Sequence, residues 1–280
     1  MKSASTLRHY LLAFTMLSSF PAYSAVTTLP PLDRGFQLLY NLDFDGAHTI
    51  FASWEVNHPD DPMGPTAEAA GLLFSQFERL GVLEAQFLVD DKSFENRPRL
   101  SPDPGIRERF QAALEHGQSL ARKRLAKDAK DKDALFALTL TNGLEADYAA
   151  LIEKKNLVSL RYTKQSALWA EQTLAVDPTC YDAHIADGIS KYLVGSMAAP
   201  VRWLVRLGGV SGDKQQGLKE LTLVASHGHY LAPFANILLA IAYVREHDKQ
   251  HARQLLASLR DQFPANPLFA REIARLDSTR

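Results

Sequence analysis

Histidines and acids concentrate in the stretch FDGAHTIFASWEVNHPDDP, residues 44–62, which holds two histidines and four acids. Imidazole and carboxylate groups are the side chains that bind zinc and that transfer protons in general acid–base catalysis. His48 and Asp45, however, stand at the start of a predicted helix, where an acid favours the helix dipole, and Pro59 ends that helix. The spacing therefore favours an ordinary helix and its terminus over a metal or catalytic site.

A second histidine pair, in HDKQH at residues 247–251, imitates the zinc-binding H-E-x-x-H motif with Asp248 in place of glutamate. That motif needs both histidines on one face of a single helix. The helix-pair pattern described below puts His247, Asp248 and Lys249 in the turn between two helices, so the shared face is lost. Gly228, between the two histidines of HGH, is a predicted helix C-cap, where histidine suits the negative end of a helix. The sequence thus predicts no metal site and no cofactor.

Motifs of covalent catalysis and of phosphate binding are present only as fragments. SGDK, residues 211–214, satisfies S-x-x-K, the serine–lysine pattern of β-lactamases, but neither S-D-N nor K-T-G occurs. GGVSGDK is no phosphate loop, because Asp213 separates Gly212 from Lys214, and G-x-S-x-G and G-x-G-x-x-G are absent. Cys180 is the only cysteine, and we expect it to be a small buried residue rather than a nucleophile. We therefore expect a protein that is not an enzyme.

Residues 1–24 have the three parts of a secretory signal peptide. Lys2 and Arg8 precede a short apolar stretch, YLLAFTMLSSF, and small residues follow in PAYSA. That stretch is too short to span a bilayer, which takes about 20 apolar residues. We predict cleavage after Ser24 or Ala25, with a short linker over residues 25–31. Because no cysteine stands directly after the predicted cleavage position, we expect a periplasmic or secreted protein that is not a lipoprotein.

The charge balance excludes nucleic acid as an expected partner. Cleavage would remove Lys2 and Arg8, leaving 29 of the 31 basic residues against 32 acids and a net charge near −3. Nucleic-acid binding usually needs a basic face. The basic run RKRLAKDAKDK, residues 122–132, is interrupted by Asp128 and Asp131, so we expect a solvated helix face. Contact of this run with anionic lipid or an acidic partner stays open as the alternative.

Apolar residues recur at helical spacing through nearly the whole of residues 32–276. Three long examples are TAEAAGLLFSQFERLGVLEAQFLVD, PGIRERFQAALEHGQSLARKRLAKDA and LTLVASHGHYLAPFANILLAIAYVRE. The breaks are short and contain prolines and capping residues, as in HPDDPMGPT, VDPTC and FPANP. Short connections favour antiparallel neighbours, so we predict one continuous all-α unit whose longest loop is residues 90–105.

One spacing of small and apolar residues occurs at both ends of the chain. The two sets are Gly35, Ala47, Phe51 and Pro59, and Ala240, Ala252, Leu256 and Pro264, with offsets of 12, 16 and 24 residues from the first member. In the part of the chain between these two sets, the last three positions are matched by Ser166, Ala170 and Pro178. Small residues at facing positions let two helices pack closely, an apolar residue one turn on fills the seam, and proline ends the second helix.

With these residues the chain resembles the tetratricopeptide repeat family, whose units are helix pairs of about 34 residues. The best matching segments are GFQLLYNLDFDGAHTIFASWEVNHPDDP and ILLAIAYVREHDKQHARQLLASLRDQFPANP, and SALWAEQTLAVDPTCYDAHIADGISKYL matches less well. The resemblance implies an all-α, right-handed superhelical solenoid of antiparallel helix pairs over residues 32–276. We expect roughly four or five degenerate repeats with irregular insertions.

A solenoid of helix pairs has a concave surface lined by the first helix of each pair. At those positions the register places an apolar and aromatic row. Its candidate partner-binding residues are Phe36, Tyr40, Phe136, Ile185, Ile189, Tyr192 and Ile241. The row could pack against an inserted helix, for which residues 197–209 are the candidate, or could receive an apolar segment of a partner or a lipid. Residues 197–209 would also suit peripheral contact with a membrane.

Two functions remain open from the sequence. The resemblance implies an exported, non-enzymatic scaffold or adaptor that mediates protein–protein interactions in the bacterial cell envelope by binding protein segments. The alternative is a periplasmic carrier, or an accessory protein of an uptake system, that binds a small apolar ligand or lipid in the concave groove. Native mass spectrometry separates the two, because a carrier would retain its ligand.

Overall fold

The computed structural model describes residues 29–83, 100–196 and 212–278, and every regular element in these ranges is a helix. The predicted signal peptide, the candidate inserted helix over residues 197–209 and most of the predicted loop over residues 90–105 lie outside the described residues. The structure therefore describes the helical region between and around these segments.

Eleven α-helices follow one another in the described ranges. They are α1 (Pro31–Tyr40), α2 (Phe44–Asn57), α3 (Met63–Arg79), α4 (Pro104–Leu125), α5 (Lys132–Asp147), α6 (Asn156–Val176), α7 (His184–Ser196), α8 (Lys214–His227), α9 (Ala232–Arg245), α10 (Lys249–Gln262) and α11 (Pro267–Ser278). A π-helical turn, Tyr148–Ile152, continues α5, and a short 3-10 turn, Tyr181–Ala183, precedes α7. None of the helices described is long and apolar enough to cross a bilayer.

Aspartates begin and prolines end many of these helices. Five helices carry an N-cap aspartate whose side chain accepts a hydrogen bond from the third backbone N–H after it: Asp43, Asp103, Asp131, Asp213 and Asp248. Pro59, Pro178 and Pro264 follow the ends of α2, α6 and α10, as the sequence predicted. One helix ends earlier than its apolar pattern predicted: α3 stops at Arg79, and Gly81 beyond it has a left-handed φ of 68°.

Each helix packs against the next along the chain, which gives the pairs α1–α2, α3–α4, α5–α6, α7–α8 and α9–α10. First helices also pack on one another, α1 on α3 and α3 on α5. Within the first pair the helices cross closely, since a Cβ added to Gly35 would overlap the ring of Phe51. Ala47, Phe51 and Ala252 are fully buried at the crossings where the repeat spacing placed them. The predicted all-α solenoid of helix pairs is confirmed.

The two ends of the solenoid contact each other. Tyr40 in α1 donates its hydroxyl hydrogen to the Tyr230 carbonyl over 2.9 Å, and Asn266 donates to the Tyr40 carbonyl over 2.9 Å. The rings of Phe36 and Tyr230 pack with centroids 4.7 Å apart. Because Tyr230 precedes α9 and Asn266 precedes α11, the first helix touches the last part of the described chain. The concave surface therefore lies inside a closed circuit of helices.

Candidate functional site

A cavity lies inside this circuit, between the first helices of the five pairs. Its volume is about 860 Å³, including the part that is open to solvent. Its walls are mostly apolar and include Phe36, Leu39, Phe74, Leu140, Ile185, Ile189 and Phe234. Helices α1, α3, α5, α7 and α9 thus all contribute, and α6 adds Thr163 and Ser166. This arrangement follows from the repeat architecture, because first helices share the inner side of a solenoid.

Four of the seven residues that the sequence named as partner-binding candidates line this cavity. They are Phe36 and Tyr40 from α1 and Ile185 and Ile189 from α7. The Phe36 ring also meets Phe51 edge to face, with centroids 5.6 Å apart. The fold brings the four residues together from two helices that are far apart in the sequence. Whether they bind a partner stays a prediction.

The other three candidate residues, Phe136, Tyr192 and Ile241, do not line the cavity. Phe136 is buried in the main core. Tyr192 is buried where α7 crosses α8, since a Cβ added to Gly217 would overlap its backbone. Ile241 is partly exposed on α9. These side chains share the sequence register of the row but point away from its cavity.

Most polar groups on the cavity wall already use their hydrogens inside the protein. Five hydroxyl groups donate to backbone carbonyls: Tyr40 to Tyr230, Thr66 to Pro62, Thr139 to Leu135, Thr163 to Ser159, and Ser166 to Thr139. The distances between hydroxyl and carbonyl oxygens are 2.7–3.1 Å. The described wall therefore offers almost no free hydrogen-bond donor to an occupant.

Asp147, the last residue of α5, brings a carboxyl group to this wall. Burial raises its pKa to about 7, with no contribution from a neighbouring charge or hydrogen bond. Asp147 is not among the site residues predicted from the sequence. A signal was present, because Asp147 follows Leu140 by seven residues and two helical turns place both on one face. Leu140 lines the same cavity.

Another aspartate, the buried Asp182, positions part of the wall. Asp182, which is 3% exposed, accepts hydrogen bonds from the N–H groups of Tyr230 at 2.8 Å and Leu231 at 3.2 Å. Burial raises the pKa of Asp182, and these backbone donors lower it in part. The two bonds fix the loop before α9, and that loop holds Tyr230 against Phe36. Asp182 is therefore a structural residue of the site.

The histidine- and acid-rich stretch of residues 44–62 forms α2 and the turn after it. His48 lies 2.8 Å from Glu68 in α3, and Arg109 in α4 lies 3.0 Å from the same carboxylate. His116 in turn lies 3.5 Å from Glu55. These contacts tie α2, α3 and α4 together on the surface. Among the described residues, no group of three or more histidines, cysteines or acids could hold a metal ion.

HDKQH is divided between a turn and a helix. His247 has a left-handed φ of 63° in the turn, and Asp248 caps α10 by accepting from the His251 N–H. The two histidines therefore do not share one helix, as the repeat pattern predicted. Lys249 was wrongly placed in the turn, because the aspartate cap begins the helix there.

The described residues of the other catalytic fragments cap a helix, form an ion pair or are partly buried. Asp213 caps α8, and Lys214 lies 2.6 Å from Glu246. Ser211 lies outside the described residues. Cys180 is partly buried, and burial raises the pKa of its thiol to about 11, which disfavours the nucleophilic thiolate.

Comparisons with known proteins give a structural likeness and no match to a family or to a curated protein. Among solved structures, a thermophilic tetratricopeptide-repeat protein of Thermus thermophilus is similar, with a TM-score of 0.46 and 16% sequence identity over 88% of this chain and 96% of that chain. The fold assignment rests on the helix pairs of the chain itself.

Proposed function

We propose that this protein is an exported, non-enzymatic binding protein of the bacterial cell envelope that carries a small apolar ligand in its cavity. The cavity carries this proposal. It draws apolar side chains from all five helix pairs, and mostly apolar walls with a few polar groups are typical of ligand pockets. Tetratricopeptide-type solenoids act commonly as scaffolds without catalysis, and the described cavity wall pairs no nucleophile with a base.

The contact between the two ends of the solenoid favours a small ligand over an extended protein segment. Tyr40 and Asn266 join α1 to the loops before α9 and α11. An extended segment needs a continuous groove, whereas this contact encloses the concave surface. A compact ligand can occupy the enclosed space without separating the ends.

The export part of the proposal rests on the signal-peptide pattern of residues 1–24. The mature protein is expected to begin at Ala25 or Val26. N-terminal sequencing of protein from the native host measures this directly. A retained Met1 would contradict export by cleavage.

Titration with the apolar dye Nile red tests the cavity as the binding site. Wild-type protein should bind the dye, and Ile189→Trp should abolish most of this binding because the larger ring fills the space. Ile241→Trp is the matched control: it makes the same substitution on a partly exposed residue of α9 that does not line the cavity. Equal binding by wild type and Ile189→Trp, or equal losses in both variants, would argue against a cavity site.

The adaptor stays a second candidate because α6 exposes apolar side chains on one face. Leu157 is 85% exposed and Leu168 is 45% exposed. They are eleven residues apart, close to three full helical turns. A protein partner that binds there should be lost from a crosslinked envelope fraction when Leu168 is replaced by lysine. Leu193→Lys on α7, at 49% exposed, is the control, and equal capture by both variants would remove this candidate.

A further inference from the structure

The cavity presents one charge. Asp147 is the only charged side chain among the described residues that line it. Its carboxylate makes no hydrogen bond or ion pair with any residue in the described ranges. A carboxylate in apolar surroundings destabilises the protein unless a partner compensates it. Such an uncompensated polar group in a cavity is a feature of binding sites.

The position of Asp147 in the fold is also unusual. It stands directly before the π-helical turn Tyr148–Ile152, where the α-helical hydrogen-bond pattern of α5 changes. Single π-helical turns are rare and are frequent at functional sites. Asp147 therefore combines a local irregularity of the backbone with a place on the cavity wall.

The hydrogen-bond donors of the wall decide which charge an occupant can carry. The five hydroxyl groups on the described wall all donate to backbone carbonyls, as set out above. No lysine, arginine or histidine is among the described lining residues. An anionic headgroup would thus lie near a carboxylate without a donor to bind it. A positively charged donor, in contrast, would meet a carboxylate that has free acceptor capacity.

We propose that the ligand is a cationic amphiphile, an apolar body that carries a protonated amine, and that Asp147 pairs with this amine. This inference rests on the proposed function, because it assigns the chemistry of the ligand in the same cavity. The apolar body lies against Phe36, Ile185, Ile189 and Phe234. The amine donates to the Asp147 carboxylate.

The pairing makes amine binding depend on pH. Burial raises the pKa of Asp147 to about 7, so the carboxyl group of the free protein is largely protonated at pH 5 and ionised at pH 8. The other titratable group on the described wall is Tyr40 of α1, whose pKa is raised by burial and whose hydroxyl donates to Tyr230. Tyr40 stays neutral across this interval. Affinity for an amine should therefore rise between pH 5 and pH 8.

Calorimetric titration with octylamine, octanol and octanoate tests the proposal, since the three probes share one chain and differ in headgroup charge. At pH 8 the wild-type protein should bind octylamine at least about tenfold more tightly than octanol, and octanoate least, as a charge-assisted hydrogen bond predicts. Asp147→Asn should remove the preference for octylamine while octanol still binds. Asp60→Asn, at an exposed aspartate that does not line the cavity, is the matched control and should keep the preference.

The outcomes separate this inference from the proposed function. If octanol binds and Ile189→Trp prevents that binding, the cavity takes apolar ligands. In that case, equal binding of octylamine and octanol, or an amine preference that survives in Asp147→Asn, overturns the inference alone. If none of the three probes binds the wild-type protein, the proposed function and the inference both fail.

Discussion

Two buried tyrosines, Tyr40 and Tyr192, differ in whether their hydroxyl groups make a hydrogen bond. Tyr40 donates to the Tyr230 carbonyl across 190 residues of chain. The buried Tyr192 hydroxyl has no hydrogen-bond partner among the described residues, and the nearby Ser196 hydroxyl donates to the Tyr192 carbonyl instead. A buried hydroxyl without a partner costs free energy, whereas a paired one contributes modestly.

Tyr40→Phe should therefore lower the free energy of unfolding by about 1 kcal/mol, because it removes a hydrogen bond that joins the ends of the solenoid. Tyr192→Phe should leave the free energy of unfolding unchanged or raise it. Urea unfolding followed by circular dichroism measures both variants under the same conditions. A larger loss in Tyr192→Phe than in Tyr40→Phe would contradict the hydrogen bonding described here.

Asp147 should make stability fall as pH rises. Its pKa in the folded protein is about 7, against about 3.9 for an unfolded aspartate. Between these values the unfolded chain has released the proton and the folded chain still binds it, so raising the pH favours unfolding. Asparagine cannot titrate. Asp147→Asn should consequently gain melting temperature relative to wild type, and more at pH 8 than at pH 4.

The control for this pH prediction is Asp60→Asn, which should give the same difference from wild type at both pH values. Asp60 is exposed. If the melting-temperature difference between Asp147→Asn and wild type did not grow from pH 4 to pH 8, Asp147 would not have a raised pKa in the folded state.

At the scale of the helices, close crossings depend on small residues. A Cβ on Gly35 would overlap the ring of Phe51, which is fully buried. A Cβ on Gly71 would lie 3.7 Å from the same ring, an ordinary contact. The two glycines therefore face the Phe51 ring from different helices, and only the Gly71 position has room for an added Cβ.

Gly35→Ala should lower the free energy of unfolding by about 1–3 kcal/mol through overpacking. Gly71→Ala should be neutral or should stabilise by up to about 1 kcal/mol, because alanine favours a helix more than glycine does. Denaturant midpoints of the two variants test this. Equal effects would mean that α1 and α2 do not cross as closely as described.

The helices were the most predictable part of the structure, because the residues that begin and end a helix act locally. Three helices end just before a proline, at Pro59, Pro178 and Pro264. Proline lacks a backbone N–H and its ring fixes the backbone, and both effects act within a few residues. The same local chemistry explains the aspartate caps. The repeat spacing also predicted the turn at His247, which has the left-handed φ of 63° seen at Leu42 in the first pair. The π-helical turn after Asp147 has no comparable sequence signal.

The cavity could be predicted only in part, because its closure depends on contacts over long sequence separations. Periodicity identified Phe36, Tyr40, Ile185 and Ile189 as one row, and all four line the cavity. It could not show that Tyr40 meets Tyr230, 190 residues away, since no local rule specifies how far a solenoid curves before its ends touch. The same row also contained residues that point elsewhere, as Ile241 does.

At the scale of the whole molecule, the central claim is that a closed circuit of helix pairs encloses a binding cavity. Native mass spectrometry of protein purified from its host without detergent tests this claim most directly. Wild-type protein should have a mass above that of the chain, and the excess should disappear on denaturation and in the Ile189→Trp variant. A wild-type mass equal to that of the bare chain, or the same excess mass in Ile189→Trp, would contradict the claim.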